Sequence, residues 1–411
     1  MTPFELLRQT SLAILAVRDE ASSTRLARLL VRRWSEADDG ARLEYLRFLT
    51  TELSPDPLTL DAAIERYRKE QTTDAVVALS DAVEAPRQEL LRRLNTAPGG
   101  TATVVALRAA LHRHRVELGD IGPTDHDIAH LLRSWFNLGF LRFERLTWDS
   151  PTSVLEKLID YEAVHEIQGW DDLRRRLQGD RRCFALFHPA LPGDPLSFVA
   201  VALTEGLATS VQDLLAPGEG TAPPPHADTA IFYSITNCQS GLRGISFGSF
   251  LLKEVIDQLA AELPQIHRFS TLSPIPGLRR WLAEHTDLAD LAVGEVSAED
   301  MRAARPRLER AAADYLTTCG DDGRPLDPVG RFHLRNGARV EQLNWMANST
   351  AVGLDRSLGM MVNYLYEPSE LETNHEALVN AGQIAASERI RRLVAGDSLY
   401  SVRGEDTDGA D

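Results

Sequence analysis

Apolar residues recur at three-to-four spacing through the first part of the chain, in PFELLRQTSLAILAV, STRLARLLVRRW, ARLEYLRFLTTEL, TLDAAIERYRK, TDAVVALSDAV and TVVALRAALHRHRVE. That period puts an apolar stripe on one face of each segment and predicts a run of amphipathic helices. Ser22 or Ser23 and Asp39 stand before periodic runs as N-caps, while Pro57, Pro98 and Pro123, with Gly99 and Gly122, punctuate the series. The stretch DHDIAHLLRSWFNLGFLRFERLTW, 125–148, reads as a further helix with a break near Gly139. Short-looped helices in series predict an all-α bundle.

Near residue 150 the pattern changes. After the helical SVLEKLIDYEAV come RRCFALFHP and PLSFVAVALTE, apolar runs of strand length joined by ALPGD, which predict a hairpin. LAPGEGTAPPPHAD is a loop by composition, TAIFYSITN a strand, SFGSFLLKEVIDQLAAEL a helix and HRFSTLS a strand. RRWLAEH and AARPRLERAAADYLTTC read as helices, and MMVNYLYE reads as a strand. Alternating strand and helix predict a mixed α/β second domain. The expected division is a helical domain over 1–158, an α/β domain over 159–400 and a disordered acidic tail over 401–411.

A length of 411 residues favours more than one core, and 43% hydrophobic with 25% charged residues is ordinary for a globular chain. The net charge of −16 argues against nucleic-acid binding, which needs a basic surface. Lysine is confined to Lys69, Lys157 and Lys253, so a bound phosphate would depend on arginine or on backbone N–H groups. No apolar run approaches the roughly 20 residues of a membrane span, and the start, MTPFELLRQTSLAILAVRDE, lacks a basic leader and a cleavage site. The expectation is a cytoplasmic protein without membrane contact. Cys183, Cys238 and Cys319 are far apart and odd in number, which suits buried thiols better than a disulfide framework or a metal knuckle.

Four segments carry candidate chemistry. In IFYSITNCQSGLRGISFGSFLLKEV, 231–255, a strand feeds a glycine-containing loop and then a helix N-terminus, an arrangement that can cradle an anion such as a pyrophosphate. The same glycines would equally serve turn geometry, and neither Walker A nor GxGxxG fits. Residues 244–248 match GxSxG with Ser246 as nucleophile, but the strand ends near Asn237, too far upstream for a nucleophile elbow. His126 and His130 share a helix face, yet Asp127 replaces the zincin glutamate and no third ligand is apparent, so a solvated or bundle-facing pair fits better. His112 and His114 point to different sides of a helix.

In GRFHLRNGARVEQLNWMANSTAVGLDRSLGMMVNYLYEP, 330–368, His333 precedes an Asn336-Gly337 turn among Asn, Ser, Gly and Trp residues unusual for a plain core segment. FSTLSPIPGL, 269–278, sets hydroxyls on a stretch that its prolines exclude from helix and central strand. Fixed proline φ angles would hold those hydroxyls in place before a ligand arrives. A rigid corner whose hydroxyls satisfy local backbone groups is the other reading.

RRCFALFHPALPGDPLSFVAVALT, IFYSITNCQSGLRGISFGSFLLKEV, FSTLSPIPGL and FHLRNGARVEQLNWMANSTAVGLDRSLGMMVNYLY, taken in order over roughly 160–368, resemble the malonyl-CoA decarboxylase family. The resemblance implies an N-terminal helical domain used in self-association, as a dimer or tetramer, and a GNAT-like catalytic domain that holds acyl-CoA. It places the catalytic histidine on His333 and the catalytic serine on Ser270, with Ser273 as the other candidate in the same word. The coenzyme A loop falls on Gln239, Ser240, Gly241, Leu242, Arg243, Gly244 and Ile245, and its Gln-x-Gly-x-x-Gly spacing departs from the usual acetyltransferase form.

The implied reaction converts malonyl-CoA to acetyl-CoA and CO₂ through a thioester enolate that His333 protonates. Ser270 would hydrogen-bond the carboxylate or thioester oxygen and orient His333. No metal or organic cofactor is required, since coenzyme A enters with the substrate. Two alternatives stand beside it: a GNAT-type acyltransferase with an acyl-CoA donor, and a non-catalytic acyl-CoA-binding regulator.

Overall fold

The computed structural model describes residues 1–216, 222, 224–245, 247–285, 287–293 and 297–396. Ser246 and the acidic tail over 401–411 lie outside the described residues.

The first helix, Pro3–Ala16, starts with a capping box: the Thr2 hydroxyl accepts the Glu5 N–H while the Glu5 carboxylate accepts the Thr2 N–H. Asp19 and Asp38 cap the next two helices, Glu20–Glu36 and Asp39–Thr51, so the expected caps Ser22, Ser23 and Asp39 lie inside the helices instead. Helices Pro57–Glu70, Thr73–Val83, Pro86–Asn95, Gly100–Arg113, Arg115–Leu118 and Gly122–Trp135 complete the helical region. Their inward stripes, including Leu30, Tyr45, Leu46, Phe48, Leu94 and Leu111, join one apolar cluster that continues onto a face of the sheet.

The expected helix over 125–148 does not run through. It stops at Trp135, a short turn Leu138–Phe140 follows, and Arg142–Leu146 forms a strand, β1. Pairing along β2 (Arg181–Phe187) and stacking of Phe143 on Phe184 at 5.2 Å outweigh the weak helical preference of RFERL. The sheet therefore takes its edge strand from within the segment read as helical.

The other strands are β3 (Pro195–Thr204), β4 (Thr229–Asn237), β5 (Arg268–Thr271), β6 (Ser273–Pro274), β7 (Arg339–Asn344) and β8 (Met361–Tyr366). The first five lie in chain order across the eight-stranded sheet; β5 and β6 then share one edge of β8, and β7 takes the other. β2 and β3 form the expected hairpin, buried almost throughout because helices cover both faces. Helix Gly248–Glu262 packs Leu251, Leu252, Val255 and Leu259 on the face of Phe184, Val199, Val201 and Phe232. Helix Thr152–Tyr161 packs Val154, Leu155 and Leu158 against Cys183, Ala185 and Phe198 on the other.

Among the described strands β4 and β5 alone run parallel, and their pairing ends at Phe232 opposite Thr271. β4 carries on to Asn237 along β3, whereas the chain of β5, already paired with β8, continues past Leu272 as β6 on β8 in the same register. A bulge at Tyr233, set between the Val201–Phe232 and Ala200–Ser234 pairs, turns β4 at the point of separation. The two strands thus splay into a wedge that opens at their C-terminal ends.

The HDIAH segment is resolved by burial. Asp127 lies inside, accepting from Arg87 Nε at 2.7 Å and from Gln88 Nε2 at 2.9 Å, while His126 and His130 face solvent. Arg87 is 3% exposed and also donates to the Leu53 carbonyl and the Ser54 hydroxyl. Removing one partner of such a buried pair typically costs about 3–5 kcal/mol. Asp127→Ala should lower the unfolding free energy by about that amount in urea titration, whereas His126→Ala should change it by less than about 0.5 kcal/mol.

Candidate active site

The corner 269–278 separates its hydroxyls by task. Ser270, wholly buried on β5, donates to the Tyr364 carbonyl at 3.0 Å. The Thr271 oxygen accepts the Tyr364 N–H at 3.1 Å and the Ser273 hydroxyl at 2.9 Å. Asn363 ties the same corner down, its amide donating to the Thr271 carbonyl at 2.7 Å while its oxygen accepts from Asn344 at 2.6 Å. Ser273, one residue past the break in the strand, is the serine that meets histidine: its Oγ lies 3.2 Å from His333 Nε2. The structure brings Ser273 and His333 together and turns Ser270 to the backbone of β8.

His333 sits in the last turn of helix Pro328–Arg335, whose inward side is Gly330, His333 and Leu334. Pro328 opens the helix, and Asp327 caps it by accepting the Gly330 N–H at 2.6 Å. Alternation along β8 puts Tyr364 and Tyr366 on one face, toward the imidazole. Tyr364 stacks on the His333 ring at 4.8 Å, and the Tyr366 hydroxyl lies 2.7 Å from Nδ1. With Ser273 donating to Thr271, the nitrogen facing Ser273 carries the proton and Tyr366 donates to Nδ1. One neutral tautomer satisfies the whole chain of groups.

Electrostatics favour that neutral form. His333 is 4% exposed, and burial pushes its pKa down to about 3. Burial likewise holds the Tyr364 and Tyr366 phenols well above their ordinary range. Asp327, behind the helix, is raised to about 6 by burial, against the pull of the Gly330 and Val329 N–H groups.

Ser273 and His333 lie at one side of a cleft of about 250 Å³ in the wedge between the splayed strands. Val164, Phe232, Ile235, Pro274, Val329 and Phe332 line it, Asn237 stands on its β4 side, and no Asp, Glu, Lys or Arg is among its described lining residues. Among the described residues no three His, Cys, Asp or Glu side chains gather as a metal site, and no helix is long and apolar enough to cross a membrane. The three cysteines are free thiols; Cys183 is buried and its thiol pushed up to about 12.

The loop 239–245 follows β4 at the mouth of the wedge. Gln239 donates from Nε2 to the Pro195 carbonyl, and Ser240–Leu242 form a single 3₁₀ turn. The N–H groups of Leu242, Arg243 and Ile245 bond to the carbonyls of Gln239, Ser240 and Leu242, so they are committed within the loop. Gly241 is small for a packing reason: a Cβ there would lie 2.0 Å from the Val105 carbonyl oxygen of helix Gly100–Arg113. Arg243 and Gly244 are exposed, Gly244 at φ +78°, and the following helix has no side-chain cap at its N-terminus. Sequence reasoning missed Thr271, Tyr364 and Tyr366; the alternation in MVNYLY was the available signal for the two tyrosines.

The sequence pattern of the malonyl-CoA decarboxylase C-terminal domain matches residues 139–403, and that of the N-terminal domain matches residues 53–136. The mitochondrial malonyl-CoA decarboxylase of Anser anser anser is 33% identical, the match covering 81% of this chain and 75% of that relative. The crystal structure of malonyl-CoA decarboxylase from Rhodopseudomonas palustris superposes with a TM-score of 0.89 at 42% identity, over 95% of this chain and 100% of that one. The Agrobacterium vitis malonyl-CoA decarboxylase gives a TM-score of 0.84 at 42% identity, over 94% of this chain and 99% of that one. Similarity therefore runs through the helical and the sheet halves alike, and the chain belongs to the malonyl-CoA decarboxylase family as an enzyme of the carboxy-lyase class.

Proposed function

We propose that this chain converts malonyl-CoA to acetyl-CoA and CO₂, with the acyl end of the thioester in the wedge beside Ser273 and His333. The observation that carries the reading is a serine–histidine hydrogen bond at the side of a cleft with an uncharged lining. In decarboxylation the bond between the α-carbon and the carboxylate breaks, CO₂ departs, and the electron pair moves into an enolate whose charge rests on the thioester oxygen. A carboxylate placed among Val164, Ile235, Val329 and Phe332 loses hydration that the dispersed charge of the transition state needs less, so an apolar lining favours this step. The imidazole N–H, which donates to Ser273 Oγ in the free site, and the Ser273 O–H, on turning away from Thr271, are the donors that would serve the oxyanion.

The enolate carbon then takes the proton from His333 Nε2. As that proton leaves, Tyr366 O–H can supply Nδ1, so the imidazole stays neutral; burial disfavours the phenolate, and the relay reverses when a proton from the cleft reaches Nε2. Ser273 takes the role first assigned to Ser270, because its hydroxyl lies beside the imidazole while that of Ser270 is held by β8. Loop 239–245 would hold the pyrophosphate, supported by its position before the uncapped N-terminus of helix Gly248–Glu262. The chemistry draws on no metal or organic cofactor. Self-association as a dimer or tetramer and a cytoplasmic setting belong to the same proposal; exposed Leu58, Val76, Val77 and Val83 on helices Pro57–Glu70 and Thr73–Val83 support the former.

Purified protein should release CO₂ from malonyl-CoA with no acceptor present. Release of CoA-SH only when an amine is added would instead mark an acyltransferase, and binding without turnover a regulator. His333→Ala and Ser273→Ala should each lower kcat by about 10²-fold or more. Ser270→Ala should keep kcat within a few-fold and cost about 1 kcal/mol of stability from one lost hydrogen bond; an inactive Ser270→Ala beside an active Ser273→Ala would reverse the assignment.

The pH behaviour follows from burial. The unfolded chain protonates this histidine near pH 6.5 and the folded chain only near 3. Its stabilising contribution is therefore present above about pH 6.5 and lost as pH falls toward 3. In nitrogen-15 spectra of histidine-labelled protein, His333 should remain neutral from pH 8 to pH 5. A titration near 6.5 would contradict the buried neutral imidazole.

A further inference from the structure

Arg108 lies within helix Gly100–Arg113 of the helical region and is 5% exposed. Its Nη1 donates to the carbonyl of Gly241 at 2.9 Å and to that of Arg243 at 2.7 Å. Nε and Nη2 reach the two carboxylate oxygens of Asp125 at 2.7 and 3.3 Å. A buried guanidinium is tolerated only when its charge and donors are matched, and here a carboxylate and two loop carbonyls match them. Val105, one turn earlier on the same helix, supplies the carbonyl against which Gly241 is pressed. The loop 239–245 is thus shaped by the helical region at two points.

A trans peptide points its N–H opposite to its C=O. With the Arg243 carbonyl held by Arg108, the N–H of Gly244 is turned away from Arg108. Gly244 itself takes a left-handed φ of +78°, which glycine accepts. Among the described residues that N–H has no partner, whereas those of Leu242, Arg243 and Ile245 are committed inside the loop. It is the donor that Arg108 leaves available beside the N-terminus of helix Gly248–Glu262.

We propose that Arg108 is a positioning residue for coenzyme A: it touches no reacting atom, but by gripping the Gly241 and Arg243 carbonyls it holds the loop so that Gly244 N–H faces the diphosphate. The helical region then forms part of the substrate site in the same chain. This rests on the reading of loop 239–245 as the diphosphate cradle.

The test uses full-length protein, CoA-SH as the binding probe and malonyl-CoA as substrate. In the wild type, CoA-SH should slow amide hydrogen exchange in the peptide that contains Gly244. Arg108→Ala should raise the Kd for CoA-SH and the KM for malonyl-CoA by about tenfold while kcat changes by less than about threefold, the signature of lost binding without lost chemistry. Arg108→Lys keeps a cation but loses the fork and should fall between the two. Asp125→Asn, which weakens the hold on the guanidinium, should shift KM in the same direction and keeps the proposal testable if Arg108→Ala fails to fold. Wild-type protection with unchanged Kd in the folded Arg108 variants would overturn the positioning role and leave the loop reading intact. Absence of protection in an active wild type would overturn the loop reading, and the proposal with it. A fall in kcat at constant KM would also overturn the proposal, since it would place Arg108 with the chemistry.

Discussion

Beyond the bond from the Leu272 N–H to the Phe232 carbonyl, the chains of the parallel strands β4 and β5 share no backbone hydrogen bond among the described residues, and everything at the candidate site depends on that separation. A strand that leaves one neighbour must keep another, since unpaired backbone groups inside a protein are costly. β4 stays on β3, and the chain of β5, already paired with β8, stays on β8 in the same register as β6, so both remain paired while a gap opens between them. The bulge at Tyr233 bends one wall, and Pro274 at the start of the other wall fixes its direction. Ser273 stands where the second wall begins.

The same separation, with β8 as the constant neighbour, explains why three neighbouring hydroxyls have different fates. Ser270 and Thr271 bond to the backbone of Tyr364 and secure the corner to β8, while Ser273 borrows Thr271 as an acceptor and faces the imidazole. His333 arrives from a helix of only eight residues, whose position depends on the Asp327 cap and on two tyrosine rings from β8. Burial that would weaken an ionised group here keeps a neutral imidazole ready on both nitrogens. β8 thus organises both the serine corner and the histidine, although it supplies neither.

Periodicity revealed much of this arrangement. The helices up to Val83, the hairpin of β2 and β3, β4, the helix after it and β8 follow from patterns long or regular enough to dominate their local context. β1 was concealed because RFERL has no strong preference and becomes a strand only through β2. The helix bearing His333 was hidden by its shortness and its glycine. Which serine meets the histidine was not legible, because the face of each hydroxyl is set by pairing with a strand some ninety residues later. Gly241 looked like a glycine that lets a phosphate approach; what approaches it is the Val105 carbonyl of a helix far upstream, a contact with no local signature.

The central claim is that an enolate forms and is protonated beside Ser273 and His333, and isotope incorporation addresses it most directly. Wild-type protein given malonyl-CoA in deuterium oxide should yield CO₂ and acetyl-CoA carrying a single new deuterium in its methyl group, with the product all but absent for His333→Ala. Malonate with CoA-SH as the only products, or undiminished deuterated acetyl-CoA from His333→Ala, would contradict the account.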